Sequence, residues 1–549
     1  MRRTKVLIFV LSAVMMLSAI AAICFADDQY ENDFIEHLAA GPAQYLGLNV
    51  HGRNAAEIDS ALSEIYHANG LQPYWLENGR PGRRAEAIRV VLDDAASQGL
   101  EPGDYFTDLI HRYWDSKDTA GLVRLDLVLT LGMMRFVADQ REGRLAVREI
   151  DPKLFASARN AEVAWRPLWK EAFAAADMKK FLDDQAPPFL QYDGLMKKLA
   201  EYRVLAALGG WPMVPDGQVL KPGMSDDRIL TIRKRLQVTN ELSGDGSSSV
   251  FYDGVLEKSV QSFQRQHGLQ PDGVIGKQTI AAMNVPVSKR IEQIILNMER
   301  YRWLDRSILD DRLVVVNIAG FTASAGNAGK FDLTMPVVVG KEYQQTPVFN
   351  DTIKYIEFNP YWTVPPSIAS KETLPKLRQN RNYLRERKMR LFNGWEADTK
   401  ELDSTKINWS KVSPQQMRRY RIRQDPGPGN DLGTLKIMFP NSYNVYLHDT
   451  PQRTLFAKDR RAFSHGCIRL GKPVEMASWL LGGPQAGWSV EKIDQLIATG
   501  QRKVVVLDKP IPIHMIYRTA VVIDDTITFY EDIYGRDLLI SKTLFRKKP

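Results

Sequence analysis

The sequence predicts an α+β multidomain fold: a helical N-terminal part, a compact three-helix module, and a β-rich domain that carries a helical, basic insertion. Three observations predict it. Apolar residues recur at helical spacing from residue 30 to about 210. Three short amphipathic segments separated by Gly- and Asp-containing turns fill 220 to 287. From residue 310 the period changes to valine-rich runs bounded by turn residues, the signature of strands.

The chain of 549 residues opens MRRTKVLIFVLSAVMMLSAIAAICFADDQYEN. Arg2, Arg3 and Lys5 precede an apolar run from Val6 to Phe25, the pattern of an export signal. Residues 1–26 are read as a signal peptide cleaved after Cys24-Phe25-Ala26. An uncleaved membrane anchor is the alternative, because the run is just long enough to span. Lipidation of Cys24 is a weaker reading, since Ile23 is bulky where such sites want a small residue. Cleavage would remove one of the two cysteines and leave Cys467 as the sole thiol, so no intramolecular disulfide is expected. It would also lower the net charge from +8 to +5, by removing three basic residues and no acidic ones. So modest a charge does not argue for nucleic acid, and no later apolar run is long enough to cross a membrane.

Residues 30–210 are read as a helical scaffold domain. "RRAEAIRVVLDDAASQGLEPGDY" carries helical spacing, with Gly99 as a stop and Pro102 beyond it. "LVRLDLVLTLGMMRFVADQREGRL" is a second long helix. Trp75, Trp114, Trp165 and Trp169 are read as core residues rather than a sugar-stacking set. "GGWPMVPDGQVLKPGMSDD" (209–227) is a linker by its Gly, Pro and Asp content. In the module 220–287, Ile229, Ile232 and Leu236 share one helical face, and Leu256, Val260, Phe263 and His267 share another, with Gly268 as the stop. Its "SFQRQHGLQPDGVIGKQT" run resembles the peptidoglycan-binding three-helix module, which implies wall binding; a spacer bundle without ligand is the alternative. His267 is expected to pack or cap rather than bind metal.

Residues 288–305 are read as a connecting helix. "RLVVVNIAGF", "MPVVVGK", "TIKYIEFNPYW", "GTLKIMF", "NVYLHD" and "RKVVVLD" then read as strands of a domain spanning 310–510. The insertion, 372–430, holds 14 Lys/Arg against 7 Asp/Glu. A solvated face is the ordinary meaning of such a run, and its place between strands makes it a candidate lid. Residues 511–549 close the chain as a hairpin-like tail.

The stretch "RAFSHGCIRL" (461–470) holds Cys467. A thiol becomes a nucleophile when a base takes its proton or a positive field favours the thiolate, and attack on a carbonyl needs donors for the oxyanion. His448 lies 19 positions upstream, at the end of a strand-like run. Gly466 allows close backbone approach, Ser464 can support the turn, and the amides of His465, Gly466 and Cys467 are candidate oxyanion donors. Two other readings stay open on these residues alone: a small buried hydrophobe, or a zinc site of His448, His465 and Cys467.

The wider pattern is a histidine, a spacer, then Ser464-His465-Gly466-Cys467-Ile468-Arg469. It resembles the signature of the L,D-transpeptidases with a YkuD-type catalytic domain. "VVVGKEYQQTP" looks like that family's early glycine and Thr-Pro segment. "FNPYWTVPPSIASKETLPKL", "RQDPGPGNDLG" and "YLHDTP" resemble its larger periplasmic branch, often called YcbB-type, which places a helical scaffold before the peptidoglycan-binding module. The common signature ends in Asn where this chain has Arg469, read as a feature of that branch.

The resemblance implies a cysteine-dependent acyltransferase with no cofactor and no metal, located in the periplasm. Its substrates would be peptidoglycan tetrapeptide stems, as donor and as acceptor. Cys467 would form a thioester at the L-centre of meso-diaminopimelate, release D-Ala, and pass the acyl group to a second stem as a 3→3 cross-link. His448 would be the base, with the peptide oxygen at Asp449 fixing its tautomer. Ser464, His465 and Gly466 would support the turn, and Tyr361, Trp362 and Arg469 would contact substrate. Arg469 has two readings, a bidentate partner for a substrate carboxylate or a loop brace paired with a nearby acid. Carbapenem β-lactams are the implied inhibitors and penicillin-binding proteins are candidate partners. The alternatives are an L,D-carboxypeptidase, a D-amino-acid exchange enzyme using the same thioester, or a non-catalytic wall-binding protein. A papain-like peptidase fits less well, because its cysteine ordinarily precedes its histidine.

Overall fold

The computed structural model describes residues 29–46, 55–145, 150, 165–243, 249–304, 306, 312–327, 330–396 and 398–545. The expected export segment, with Cys24, lies outside them.

The N-terminal part is helical, as its periodicity predicts. The segment Arg83–Asp93 is a helix that buries Ala85, Ile88, Val91 and Leu92. Gly99 adopts φ +70° at the stop, a conformation that costs glycine little. The longest helix among the described residues, Thr119–Glu142, starts on an Asp118 cap that accepts the Gly121 N–H and is buried on most sides. Two strands, β1 (Leu76–Glu77) and β2 (Arg80–Pro81), form a small hairpin beside it. Trp75 is fully buried there, with Trp114 and Trp169 packed at the edge of the same core. The side chain of Trp165 lies outside the described residues.

The module comprises helices Arg228–Val238, Gly254–Gln266 and Lys277–Met283 around one apolar core. The segment read as a linker belongs in part to this unit: Leu220 bridges Ile275, and Trp211 is buried with Arg235 stacked 4.0 Å over its ring. His267 donates from Nδ1 to the Phe263 carbonyl at 2.8 Å and stacks on Phe263 at 3.8 Å. Burial pushes its pKa well below the ordinary histidine value, which suits a packed ring.

The connecting helix runs Val287–Arg302. It leads into a nine-stranded sheet whose order is β13-β5-β14-β12-β11-β6-β15-β3-β4. The strands are β3 (Arg312–Asn317), β4 (Thr322–Asn327), β5 (Lys330–Gly340), β6 (Phe349–Phe358), β11 (Leu435–Met438), β12 (Leu447–His448), β13 (Ala462–Ser464), β14 (Ile468–Leu470) and β15 (Lys503–Ile516). Because β4 also pairs with β5, the sheet closes on itself and buries a core of Val, Ile, Leu and Phe side chains.

Two expectations need correction. The insertion is not simply helical. It begins before residue 372 and contains a four-stranded sheet, β7 (Trp362–Thr363), β10 (Arg421–Gln424), β8 (Met389–Phe392) and β9 (Glu401–Leu402), with short helices and an apolar core of its own. The boundary at 510/511 falls inside β15, whose residues 511–515 pair with β6 and 513–516 with β3. Beyond it come the hairpin β16 (Ala520–Ile523) and β17 (Thr526–Phe529) and a helix, Arg536–Leu544. That C-terminal segment shares an apolar core with the helix Leu190–Ala207 and the connecting helix.

Candidate active site

Strand alternation separates core from site. Ile356, Ile437, Leu447 and Ile468 form one row across β6, β11, β12 and β14, all buried in the core. The next row, Glu357, Lys436, His448 and Arg469, faces the other way. Tyr446 and Cys467 immediately precede the paired residues Leu447 and Ile468, and the Ile468 N–H donates to the Tyr446 carbonyl at 3.0 Å. The topology thus places a histidine, a cysteine, a tyrosine and two cations on one face of the neighbouring strands β11, β12 and β14.

His448 is 5% exposed. Its Nδ1 lies 2.5 Å from the Asp449 carbonyl oxygen. A carbonyl only accepts, so in the neutral ring Nδ1 carries the proton and Nε2 is the unprotonated nitrogen; the Leu432 backbone also hydrogen-bonds the imidazole. Burial, with the Arg469 and Lys436 cations nearby, pushes the imidazole down to about 3, so it is neutral across the physiological range. The Asp449 carboxylate is directed away from the ring: it accepts from the Thr434 N–H and hydroxyl, both at 2.9 Å, and pairs with Arg453 at 3.1 Å.

Burial pushes the Cys467 thiol up from its ordinary value. The Tyr446 backbone N–H and hydroxyl, Lys436 and Arg469 act in the opposite direction. Lys436 sits 4.0 Å over the Tyr446 ring. With the histidine held down and the thiol held up, both groups favour their neutral forms.

The turn before Cys467 is fixed from several sides. Gly466 has φ +114°, a region that favours glycine. Ser464 Oγ accepts the Gly466 N–H at 3.1 Å and donates to the Cys467 carbonyl at 2.5 Å. The Gly466 N–H is therefore engaged, which corrects the expectation that it points at an oxyanion. His465 Nε2 meets Glu372 Oε1 of the insertion at 2.5 Å, and the insertion thereby touches the turn.

Arg469 Nη1 donates to Gln452 Oε1 at 2.8 Å, and its buried Nε has no partner. Among the described residues no ion pair of 4.0 Å or less is found for Arg469, and the Asp431 carboxylate acts on it from farther away. Tyr361 and Trp362 share no hydrogen bond or ring contact with Cys467. They stand at the root of the insertion, where Trp362 packs against the insertion core and Tyr361 lies exposed under Arg423, 4.3 Å from its ring. Among the described residues no cluster of three or more His, Cys, Asp or Glu is arranged to hold a metal ion, and His465 turns to Glu372 instead.

Tyr446, Lys436 and Glu372 were not singled out from sequence. The first two were within reach of it, since "NVYLHD" and "GTLKIMF" place them on the side of His448 by alternation. Glu372 had no local signal.

Three family models match the chain: "L,D-transpeptidase catalytic domain" over residues 311–507, "Scaffold domain" over 60–199, and "Putative peptidoglycan binding domain" over 225–283. A Haemophilus influenzae protein described as "Putative L,D-transpeptidase" is 29% identical over 272 residues, which cover 48% of this chain and 53% of that protein. The chain thus spans about half the length of that relative. Among solved structures, an L,D-transpeptidase from Stackebrandtia nassauensis is 12% identical, with a TM-score of 0.21 over 56% of this chain and 96% of that one. The L,D-transpeptidase LdtMt1 in complex with imipenem is 14% identical, with a TM-score of 0.18 over 38% of this chain and 59% of that one.

Proposed function

Because the chain carries an L,D-transpeptidase catalytic domain behind a scaffold domain and a peptidoglycan-binding domain, we propose that it is a periplasmic enzyme that cross-links peptidoglycan through a cysteine thioester. One observation carries the chemistry: His448 ends β12 and Cys467 immediately precedes β14, its parallel partner, so both lie on the same face of the pair within two register positions, with the imidazole Nδ1 pinned to a carbonyl.

In this reading Cys467 Sγ attacks the amide carbonyl at the L-centre of meso-diaminopimelate in a tetrapeptide stem as His448 Nε2 takes the thiol proton. The amides of Cys467 and His465 are the remaining oxyanion donors. The amide C–N bond breaks, His448 returns the proton to the departing D-Ala amine, and a thioester remains. The side-chain amine of a second stem's diaminopimelate then attacks, loses a proton to His448 and releases the thiolate, giving a 3→3 cross-link. Arg469, with no close ion pair among the described residues, would bind a substrate carboxylate. Carboxypeptidase and exchange activities differ only in the acceptor, water or a free D-amino acid. Mass analysis of tetrapeptide muropeptides treated with the purified protein tests the reading. Cross-linked dimers are expected; tripeptides or exchanged tetrapeptides alone would reassign the acceptor, and no product at all would reject the enzyme.

Two further expectations follow from the same site. A β-lactam is a strained amide, and a carbapenem should acylate the protein once, on the peptide containing Cys467. A relative with this domain has been solved with imipenem, which supports the choice of drug class. Intact-mass analysis checks it, and an adduct elsewhere would count against the site. The insertion, with its +7 excess over 372–430 and its Glu372 contact to His465, is read as a cap over the peptide stems. Replacing it with a short linker should raise the apparent KM for donor more than it lowers the melting temperature, since it has its own core. An unchanged KM would reject the cap.

A further inference from the structure

The geometry points to the C-terminal segment 517–545 as a positioning device for the catalytic turn, acting through Tyr534, Arg536 and Thr346. This rests on Cys467 being the nucleophile. The segment lies beyond the residues matched as catalytic domain, which end at 507, yet two of its side chains grip the backbone that holds the turn.

Thr346 is wholly buried. Its hydroxyl donates to the Gly466 carbonyl at 2.8 Å and accepts the Gly340 N–H at 2.9 Å. Tyr534 Oη donates to the Gly340 carbonyl at 2.5 Å and accepts the Thr346 N–H at 3.3 Å. Arg536 Nη2 donates to the Thr346 carbonyl at 3.1 Å and lies 3.4 Å from Gln345 Oε1. Both peptide groups of Thr346 are thus held by the segment, while its hydroxyl holds Gly466. There is no room for a looser fit: a Cβ on Gly340 would stand 2.1 Å from the Gln344 carbonyl oxygen.

The segment is itself anchored. Arg536 is 1% exposed between the rings of Tyr517 and Tyr534, at 4.8 and 5.1 Å. Asp532 accepts from the Tyr517 hydroxyl at 2.7 Å and the Arg536 N–H at 2.8 Å. Asp537 pairs with Arg300 of the connecting helix at 2.6 Å, and Thr519 exchanges two hydrogen bonds with Asn297.

The consequence is geometric. The Gly466 carbonyl and the Cys467 N–H belong to one planar peptide group and point in opposite directions. Holding that carbonyl on Thr346 Oγ1 therefore aims the Cys467 N–H, one of the two remaining oxyanion donors. Thr346, Tyr534 and Arg536 touch no reacting atom and are positioning residues.

The test separates steps that build an oxyanion from one that does not. Thr346→Val, Thr346→Ser and Tyr534→Phe are compared with wild type for transfer between tetrapeptide muropeptides and for alkylation of Cys467 by iodoacetamide, which displaces iodide and needs no oxyanion. Thr346→Val is expected to lower kcat about 10- to 100-fold, somewhat less than loss of a whole donor, with KM and the alkylation rate within about 2-fold. Thr346→Ser, which keeps the hydroxyl, should restore the rate, and Tyr534→Phe, which deletes one oxygen, should fall between. Unchanged kcat in both Thr346→Val and Tyr534→Phe overturns the proposal. So does a parallel fall in transfer and alkylation, which would mean that the thiol itself is displaced. A wild-type protein that makes no acyl product overturns this reading and the proposed function together; an active wild type with unaffected variants overturns this one alone.

Discussion

Cys467→Ala should lower both transfer and hydrolysis of tetrapeptide stems at least about 1,000-fold while leaving the melting temperature close to wild type. The magnitude is that expected when a covalent nucleophile is removed and binding alone remains. The fold should tolerate the change because Cys467 is only partly buried and its sulfur makes weak hydrogen bonds, to the Asn444 carbonyl at 3.8 Å and with Tyr446. His448→Ala should cost about 100- to 10,000-fold, the range of a lost general base. The pH profile distinguishes this account from a preformed ion pair. With His448 held down to about 3, its protonation cannot produce an acid limb near pH 6, and the fall in rate at low pH should begin well below that. Steady-state kinetics from pH 4 to 9 on wild type and both variants check the set. Wild-type turnover in Cys467→Ala would sink the mechanism.

The same depressed histidine bears on stability. The unfolded chain takes up its proton near 6.5 and the folded chain only near 3, so protonation favours unfolding in that window. The contribution of His448 is fully present above about 6.5 and is lost as pH falls towards 3.

Much of this site was legible because its carriers are local. Cys467 and His448 sit in short motifs, and valine-rich runs placed most strands within a few residues. Tyr446 and Lys436 were legible by alternation and went unread. What stayed hidden depends on tertiary pairing. The insertion looked helical because its strands are two to four residues long and the two longer ones, β8 and β10, carry arginines, with Arg390, Arg421 and Arg423 packed around Phe392; nothing in that composition announces a sheet. The boundary at 510 cuts β15 where it carries Pro510 and Pro512. Pro510 lies in the register shift between Val506 and Ile511 of the pairing with β6, an irregularity that accepts a proline, and Pro512 just precedes the residues that pair with β3. The grip of Tyr534 and Arg536 on Thr346 spans 188 to 190 positions, beyond any local pattern.

Glu299→Ala should destabilise the protein by about 3–5 kcal/mol, the cost of stripping one partner from a buried ion pair. Glu299 and Arg302 are both fully buried on the connecting helix, 3.1 Å apart. The second carboxylate oxygen accepts from the Arg144 and Leu145 backbone N–H groups, at 2.5 and 3.2 Å, and from Trp303 Nε1 at 3.1 Å. Arg302 reaches on to the Gln98 carbonyl, Gln140 Oε1 and the Tyr192 hydroxyl. This pair therefore joins three scaffold segments to the helix that leads into the catalytic sheet and also anchors Asp537 through Arg300. Alanine would leave a buried guanidinium without its carboxylate and three donors without their acceptor. Calorimetric scans should show a large fall in melting temperature. The double substitution Glu299→Leu with Arg302→Met removes both charges and should recover part of the loss. A double variant no more stable than Glu299→Ala would show that the lost backbone and indole hydrogen bonds, rather than the stranded charge, carry the cost.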